Sequence, residues 1–214
     1  MATDEDFRRI AEEARERFEE RIETADSDAR ALGWDSKESM EIRFEAAAGM
    51  YDFSGASVLD VGCGFGDFYD FLEERGDEPS EYYGIDISDE ILDIAREKIA
   101  GPRTNFEKRN IFTDPFEDET FDVAVEFGLL NYNFERISNA EYMRAYMRRT
   151  YDVCDATLLN CLSDYREGDW EWEPFVYYYS PEKAFGYAQE FTRDVTLKHD
   201  FEPIPQKEFN LLLE

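Results

Sequence analysis

Val58-Leu-Asp-Val-Gly-Cys-Gly-Phe-Gly-Asp-Phe68 is the stretch on which the reading of this chain turns. Its first residues, with Ala56 and Ser57 ahead of them, form a short apolar run of the kind that makes a buried strand. Glycines at 62, 64 and 66 follow, and a helical pattern then runs over 67–75. Glycine is needed where a backbone turns sharply and a ligand must approach with no Cβ in the way. The helix behind the loop turns unpaired N–H groups toward it, which suits an anion. Asp86 stands twenty residues after Gly66, at the end of the next predicted strand, Tyr82-Tyr-Gly-Ile-Asp86. An acid at that place can accept from both hydroxyls of a ribose.

Working outward, strand and helix signals alternate. Ser88 caps a helix whose first turn carries Asp89 and Glu90, in keeping with the helix dipole. Its stripe is Ile91, Ile94, Ala95, the stem of Lys98 and Ile99, and Gly101-Pro102 ends it. Strands are predicted over 104–111, 121–125 and 156–162, and helices over 138–150 and 181–188. Residues 194–201 and 208–213 read as two alternating strands joined by a turn containing Pro203-Ile-Pro205. Upstream, Phe7, Ile10, Ala14, Phe18, Ile22 and Ala25 recur at helical spacing and predict one amphipathic helix over 4–31. Gly33 is its stop, and Ser36 or Ser39 starts a second helix to about Met50. Such alternation implies a parallel α/β sheet, here with an antiparallel hairpin at its edge. Residues 1–50 are expected to form a helical cap that is part of the same domain, and 51–214 the core, with an insertion at 163–181.

The chain has 214 residues, of which 43% are hydrophobic and 16% aromatic, enough for a full core. Its 23 basic residues, only 6 of them Lys, stand against 52 acidic ones, giving a formal charge of −29. That balance argues against a phosphate-backbone binder and against docking on an anionic membrane. No apolar run is long enough to cross a bilayer. The start of the chain lacks the basic and apolar regions of a signal peptide. Cys63, Cys154 and Cys161 lack CxxC spacing and read as free thiols in a reducing cytoplasm, with no zinc site. The acidity is spread along the whole chain, a composition that resembles that of halophilic proteins, where molar salt screens self-repulsion.

The loop and Asp86 together fit nicotinamide cofactors as well as S-adenosylmethionine, and the spacing separates them. A dinucleotide fingerprint would place its third glycine at 67, where this chain has Asp67. A carboxylate there is awkward beside a pyrophosphate. S-adenosylmethionine brings a sulfonium and an ammonium, which tolerate nearby acids.

With these motifs in place, the chain resembles the class I S-adenosylmethionine-dependent methyltransferases over about residues 56–214. The resemblance rests on the glycine loop, Tyr83-Gly-Ile-Asp-Ile-Ser-Asp-Glu-Ile-Leu92, the strand at 121–125 with Glu126-Phe-Gly-Leu-Leu-Asn131 after it, and the closing hairpin. It implies a Rossmann-like sheet of seven strands in the order 3-2-1-4-5-7-6, with strand 7 antiparallel and helices on both faces.

The resemblance also implies a cofactor site. Gly62, Gly64 and Gly66 would line the methionine end, with Asp60 just ahead of the loop and Cys63 within it as a small space-filler. Asp86 would take the ribose and Ile87 the adenine face. Asn110 and Ile111 follow the third strand, where the family usually has an Asp and an apolar residue at the adenine amine; an amide can still accept there. Glu126 and Phe127 follow the fourth strand, where backbone groups usually meet the cofactor ammonium. Leu32-Gly-Trp-Asp-Ser-Lys-Glu-Ser-Met-Glu-Ile-Arg-Phe44 resembles a segment that covers the cofactor in a subgroup of the family. Trp34 would lie over the site. Arg43 can pair with the cofactor carboxylate, or be one more surface arginine.

The acceptor should meet the loops after strands 4 and 5. Candidate groups are Asn131 and Tyr132 after strand 4, and Tyr177, Tyr178 and Tyr179 in the 163–181 insertion. That insertion holds 7 aromatic and 5 acidic residues in 19 positions. It is either a lid for an amine or aromatic substrate, helped by cation–π contact, or simply packing. The chain's single histidine, His199, predicted within strand 6, is a candidate base or a structural residue. The expected function is methyl transfer to a small molecule. Alternatives are a non-catalytic regulatory module binding S-adenosylmethionine or a nucleotide, and methyl transfer to RNA or protein. Aminopropyl transfer on the same fold would use a decarboxylated cofactor, for which a carboxylate-binding Arg43 has no purpose.

Overall fold

The computed structural model describes residues 2–99, 101–117, 119–165, 175–201 and 207–214. Seven strands form one sheet of order β3-β2-β1-β4-β5-β7-β6. The strands are β1 Ser57–Val61, β2 Glu81–Asp86, β3 Thr104–Lys108, β4 Phe121–Phe127, β5 Cys154–Leu162, β6 Val195–Lys198 and β7 Glu208–Leu213. β1 pairs in parallel with both β2 and β4. β7 runs antiparallel between β5 and β6. The predicted order and the edge hairpin both hold. The predicted turn at Pro203 and Pro205, and Trp170 and Trp172 of the insertion, lie outside the described residues.

The helices are α1 Asp4–Thr24, α2 Asp28–Ala31, α3 Lys37–Ala48, α4 Asp67–Arg75, α5 Asp89–Lys98, α6 Asn139–Tyr151 and α7 Pro181–Ala188. The sheet is covered on both faces, as a parallel sheet must be. α3, α4 and α5 bury Met40, Phe44, Phe68, Leu72, Leu92 and Ala95 on one face. α6 and α7 bury Met143, Tyr146, Met147, Ala184 and Ala188 on the other. The change of face falls between β1 and β4, so the carboxyl ends of those two strands open a crevice there.

The expected single helix over 4–31 is two helices. Ala25 is extended, and the Ser27 side chain accepts from the Arg30 amide to start α2. A serine three residues after a helix end offers the backbone a capping bond in place of another turn. α1 therefore departs from α2 and crosses the carboxyl ends of the strands. Phe7 stacks on Phe112 at 4.7 Å, and Ser88 Oγ donates to Glu19 at 3.0 Å. No helix among the described residues is long and apolar enough to cross a membrane.

Candidate active site

The glycine loop is held from beneath. The amides of Gly62 and Cys63 both donate to the Ile85 carbonyl, at 2.8 and 3.1 Å, and Gly66 donates to Cys63 O at 2.9 Å. The loop thus doubles back over the end of β2. Asp86 closes the arrangement by accepting from Ile87 N at 2.7 Å, Ser88 N at 3.1 Å and Gly64 N at 3.4 Å. Part of its side chain stays open to the space above. Burial pushes its carboxyl up to about 6, against the pull of the three amides.

Above the loop lies a cavity of about 300 Å³. Its floor holds Asp60, Gly62, Cys63, Gly64, Asp86 and Ile87; Asn110, Ile111 and Phe127 line it further along. The structure therefore gathers most of the expected cofactor residues around one space. Asp60 is buried, accepts from the Tyr82 hydroxyl, and is pushed up to about 7 by its burial, with Asp86 and Asp67 adding to the effect. Cys63 is a buried thiol whose titration burial drives well upward, in keeping with a space-filler. Asn110 accepts from Phe112 N at 3.0 Å, so its carbonyl oxygen is already partly engaged in the turn after β3.

Gly66, Glu126 and Arg43 depart from expectation. Gly66 is the N-cap of α4 and does not line the cavity. It faces the other way, where a Cβ would strike Ile99 and Phe106. The Glu126 side chain turns into the core. There Oε1 accepts from Asn160 N at 3.0 Å, the amides of Leu129 and Leu130 face the carboxyl, and Oε2 takes no hydrogen bond of normal geometry among the described residues. Burial pushes Glu126 up to about 8. Arg43 does line the cavity but is already spent: Nε lies 2.9 Å from both Glu208 oxygens, and Nη1 donates to Ser39 O and Oγ. The guanidinium also faces the Trp34 ring at 4.6 Å. With Glu208 neutralising it, Arg43 is neither a surface arginine nor free for a ligand carboxylate. Trp34 packs on Gly128, at the turn after β4, and lines the cavity.

On the acceptor side Asn131 and Tyr132 line the cavity, but Tyr177, Tyr178 and Tyr179 do not. The returning insertion pairs with the loop after β4 through Asn133 N to Phe175 O and Tyr177 N to Asn131 O. That register puts Phe175 and Val176 at the cavity and Tyr179 in the core, where its hydroxyl donates to Leu130 O at 3.0 Å. Tyr177 packs edge-on against Tyr179. His199 follows β6 instead of lying within it. It sits between Tyr165 and Phe209 on the far side of β7, away from the cavity. Burial lowers its titration, with Lys207 adding to the effect.

The sequence reading expected an N-terminal helical cap but named none of the α1 residues that roof the cavity. Phe7, Ile10, Ala11, Ala14, Phe18 and Arg21 of α1 line the cavity. The signal was present: the stripe carries small alanines where a helix packed tightly on a sheet needs bulk.

The pattern of the methyltransferase domain family matches residues 58–154, from β1 into β5. Over 82 residues the chain is 42% identical to the demethylmenaquinone methyltransferase of Shouchella clausii, covering 36% of this chain and 35% of that protein. The chain therefore spans about a third of the length of that relative. A putative methyltransferase of Mycobacterium tuberculosis is 28% identical over 68% of this chain and 86% of its own length. Among solved structures, a putative S-adenosylmethionine-dependent methyltransferase from Listeria monocytogenes superposes with a TM-score of 0.60 at 15% identity, over 82% of this chain and 96% of its own. A methyltransferase from Streptomyces caelestis does so with 0.60 at 16% identity, over 89% and 92%. The chain matches the methyltransferase domain pattern at residues 58–154, and its strand order gives it the same fold as the solved S-adenosylmethionine-dependent methyltransferases.

Proposed function

We propose that this chain transfers a methyl group from S-adenosylmethionine to a small-molecule acceptor. One juxtaposition carries the reading: the Gly62–Gly64 turn and the Asp86 carboxylate border one cavity at the crevice between β1 and β4. The donor set fits the cofactor. Asp86 offers acceptors to a ribose diol, and Asp60 and Asp67 make the same wall hospitable to cationic groups.

When bound, S-adenosylmethionine supplies a methyl group already activated on a sulfonium. The chain is left to orient the reactants and exclude water. The apolar face of α1 closes the cavity from above and performs the exclusion. Burial raises the Tyr132 phenol above its already high ordinary value, with Arg21 and Arg17 pulling the other way, so it is protonated at neutral pH and acts as a donor that positions the acceptor. Relatives named demethylmenaquinone methyltransferases support methyl transfer, but the match spans 82 residues, 36% of this chain, and leaves the acceptor to be read from this chain's own roof and loops.

The test is calorimetric titration with S-adenosylmethionine in multimolar KCl, with NADH and decarboxylated S-adenosylmethionine as comparators. Selective binding of S-adenosylmethionine supports the reading; no binding to folded protein sinks it. Because Arg43 is paired with Glu208, it offers no discrimination against the decarboxylated compound, and that comparator separates methyl from aminopropyl transfer. Binding without turnover of any pooled metabolite would favour the regulatory module.

A further inference from the structure

Three cations line the cavity: Arg21, Arg43 and Arg109. Arg43 faces Glu208, and Arg109 faces Glu107 and Asp114. Arg21 has no carboxylate partner among the described residues, in a chain with 52 acidic residues to draw on. Its Nη1 instead lies 3.5 Å from the Tyr132 hydroxyl. A phenol that accepts from a guanidinium keeps its own proton to donate, so Arg21 and Tyr132 present donors to the same place.

One turn earlier on α1, Arg17 lies over the ring of Tyr132 at 5.1 Å and that of Phe175 at 5.8 Å. The aromatic faces at this mouth are thus already covered by the chain's own cation. An ammonium ligand would compete with Arg17 for those rings and would meet two like charges. Of the acids that line the cavity, Asp60, Asp67 and Asp86 belong to β1, α4 and β2, Glu208 is taken up by Arg43, and Asp35 is an exposed residue after Trp34, whereas Arg21 meets the loop after β4. The cavity is therefore negative at its glycine loop, while Arg21 and Arg17 put positive charge at Tyr132, where α1 meets the loop after β4. Between them the wall is apolar, with Phe7, Ile10, Phe18 and Phe134.

We propose that Arg21 and Tyr132, backed by Arg17, bind an oxyanion, and that the methyl acceptor is a small apolar or aromatic molecule bearing a carboxylate or phosphate. The guanidinium fork matches either group in two-point contact. The term acceptor rests on the methyl-transfer reading; the oxyanion site does not.

The test titrates the protein with benzoate, phenyl phosphate, benzyl alcohol and benzylamine, each with and without S-adenosylhomocysteine, in the lowest KCl that keeps it folded. One of the two anions should bind about tenfold or more tighter than the alcohol, the factor a charge-assisted hydrogen bond supplies, and benzylamine weakest. The leading anion identifies the group. Arg21→Gln should erase the preference, Arg21→Lys should keep part of it, and Arg21→Glu should turn it toward benzylamine. Anions that bind no tighter than the alcohol, or a preference that survives Arg21→Gln, overturn the proposal. An intact preference in protein that does not bind S-adenosylhomocysteine would leave the oxyanion site standing and remove the methyl-transfer reading alone.

Discussion

Leu32 lies over Gly64 so closely that a Cβ on the glycine would sit 2.9 Å from Leu32 Cδ1. Gly64 also has φ of +55°, in the left-handed region. Gly64→Ala should therefore lose about 1–2 kcal/mol from backbone strain and, by lifting Leu32, should weaken S-adenosylmethionine binding. Leu32→Ala added to it should remove the steric part alone. A double-mutant cycle by urea denaturation should show clear non-additivity. Strict additivity would mean that the two residues are not in contact in solution.

Asp86 accepts three amides and faces the cavity. Asp86→Asn keeps its shape but exchanges one acceptor for a donor. Its affinity for S-adenosylmethionine should fall by about tenfold or more. Asp86→Ala should bind as poorly and in addition lose about 1 kcal/mol of stability. Calorimetry that finds the affinity unchanged takes Asp86 out of the ligand site.

Burial raises Glu126 to about 8 and Asp60 to about 7. A raised folded-state value means that the folded molecule holds protons that the unfolded chain has released. For Glu126 that benefit is complete below its ordinary value of 4.5 and is lost as pH rises through about 8. Stability should thus fall from pH 5 to 8, by up to about 1.4 kcal/mol per pH unit for each proton involved. Glu126→Gln should flatten that slope in urea denaturation at fixed KCl; an unchanged slope would clear Glu126 of any part in it.

The Arg43–Glu208 pair is buried on both sides, and burial raises Glu208 even with Arg43 opposing it. Glu208→Ala leaves a guanidinium without its counter-charge and should cost about 3–5 kcal/mol. Arg43→Met combined with Glu208→Leu should recover most of that loss. Thermal unfolding of the single and double variants compares the two directly.

At a formal charge of −29, self-repulsion should weaken the fold at low salt. The unfolding midpoint should rise with KCl into the molar range. A flat response would mean that the acidic surface is not a salt adaptation.

The succession of strands and helices, the glycine loop and Asp86 were legible because each is a local pattern, whereas the order of strands in the sheet came from the resemblance to the class I methyltransferases. A buried strand, a turn that demands glycine and an acid at a strand end are written within about ten residues of one another. The break after α1 was legible too, in Ser27, but one helical stripe over 4–31 masked it. Gly66 and Glu126 misled because a residue at a turn or near a strand end can face either way, and only the packing of Gly66 against Ile99 and the hydrogen bond from Asn160 N to Glu126 tell which way each one faces.

The sequence by itself determined the order of elements and the chemistry of the crevice, since period-2 and period-3.6 patterns and turn residues act over short range. Only the tertiary structure decided which long-range partners close it. Arg43 was claimed by Glu208, 165 residues away, and α1 became a roof with Arg21 at its mouth. No local pattern encodes these choices, because burial and charge pairing are settled between segments that meet only when the sheet has formed.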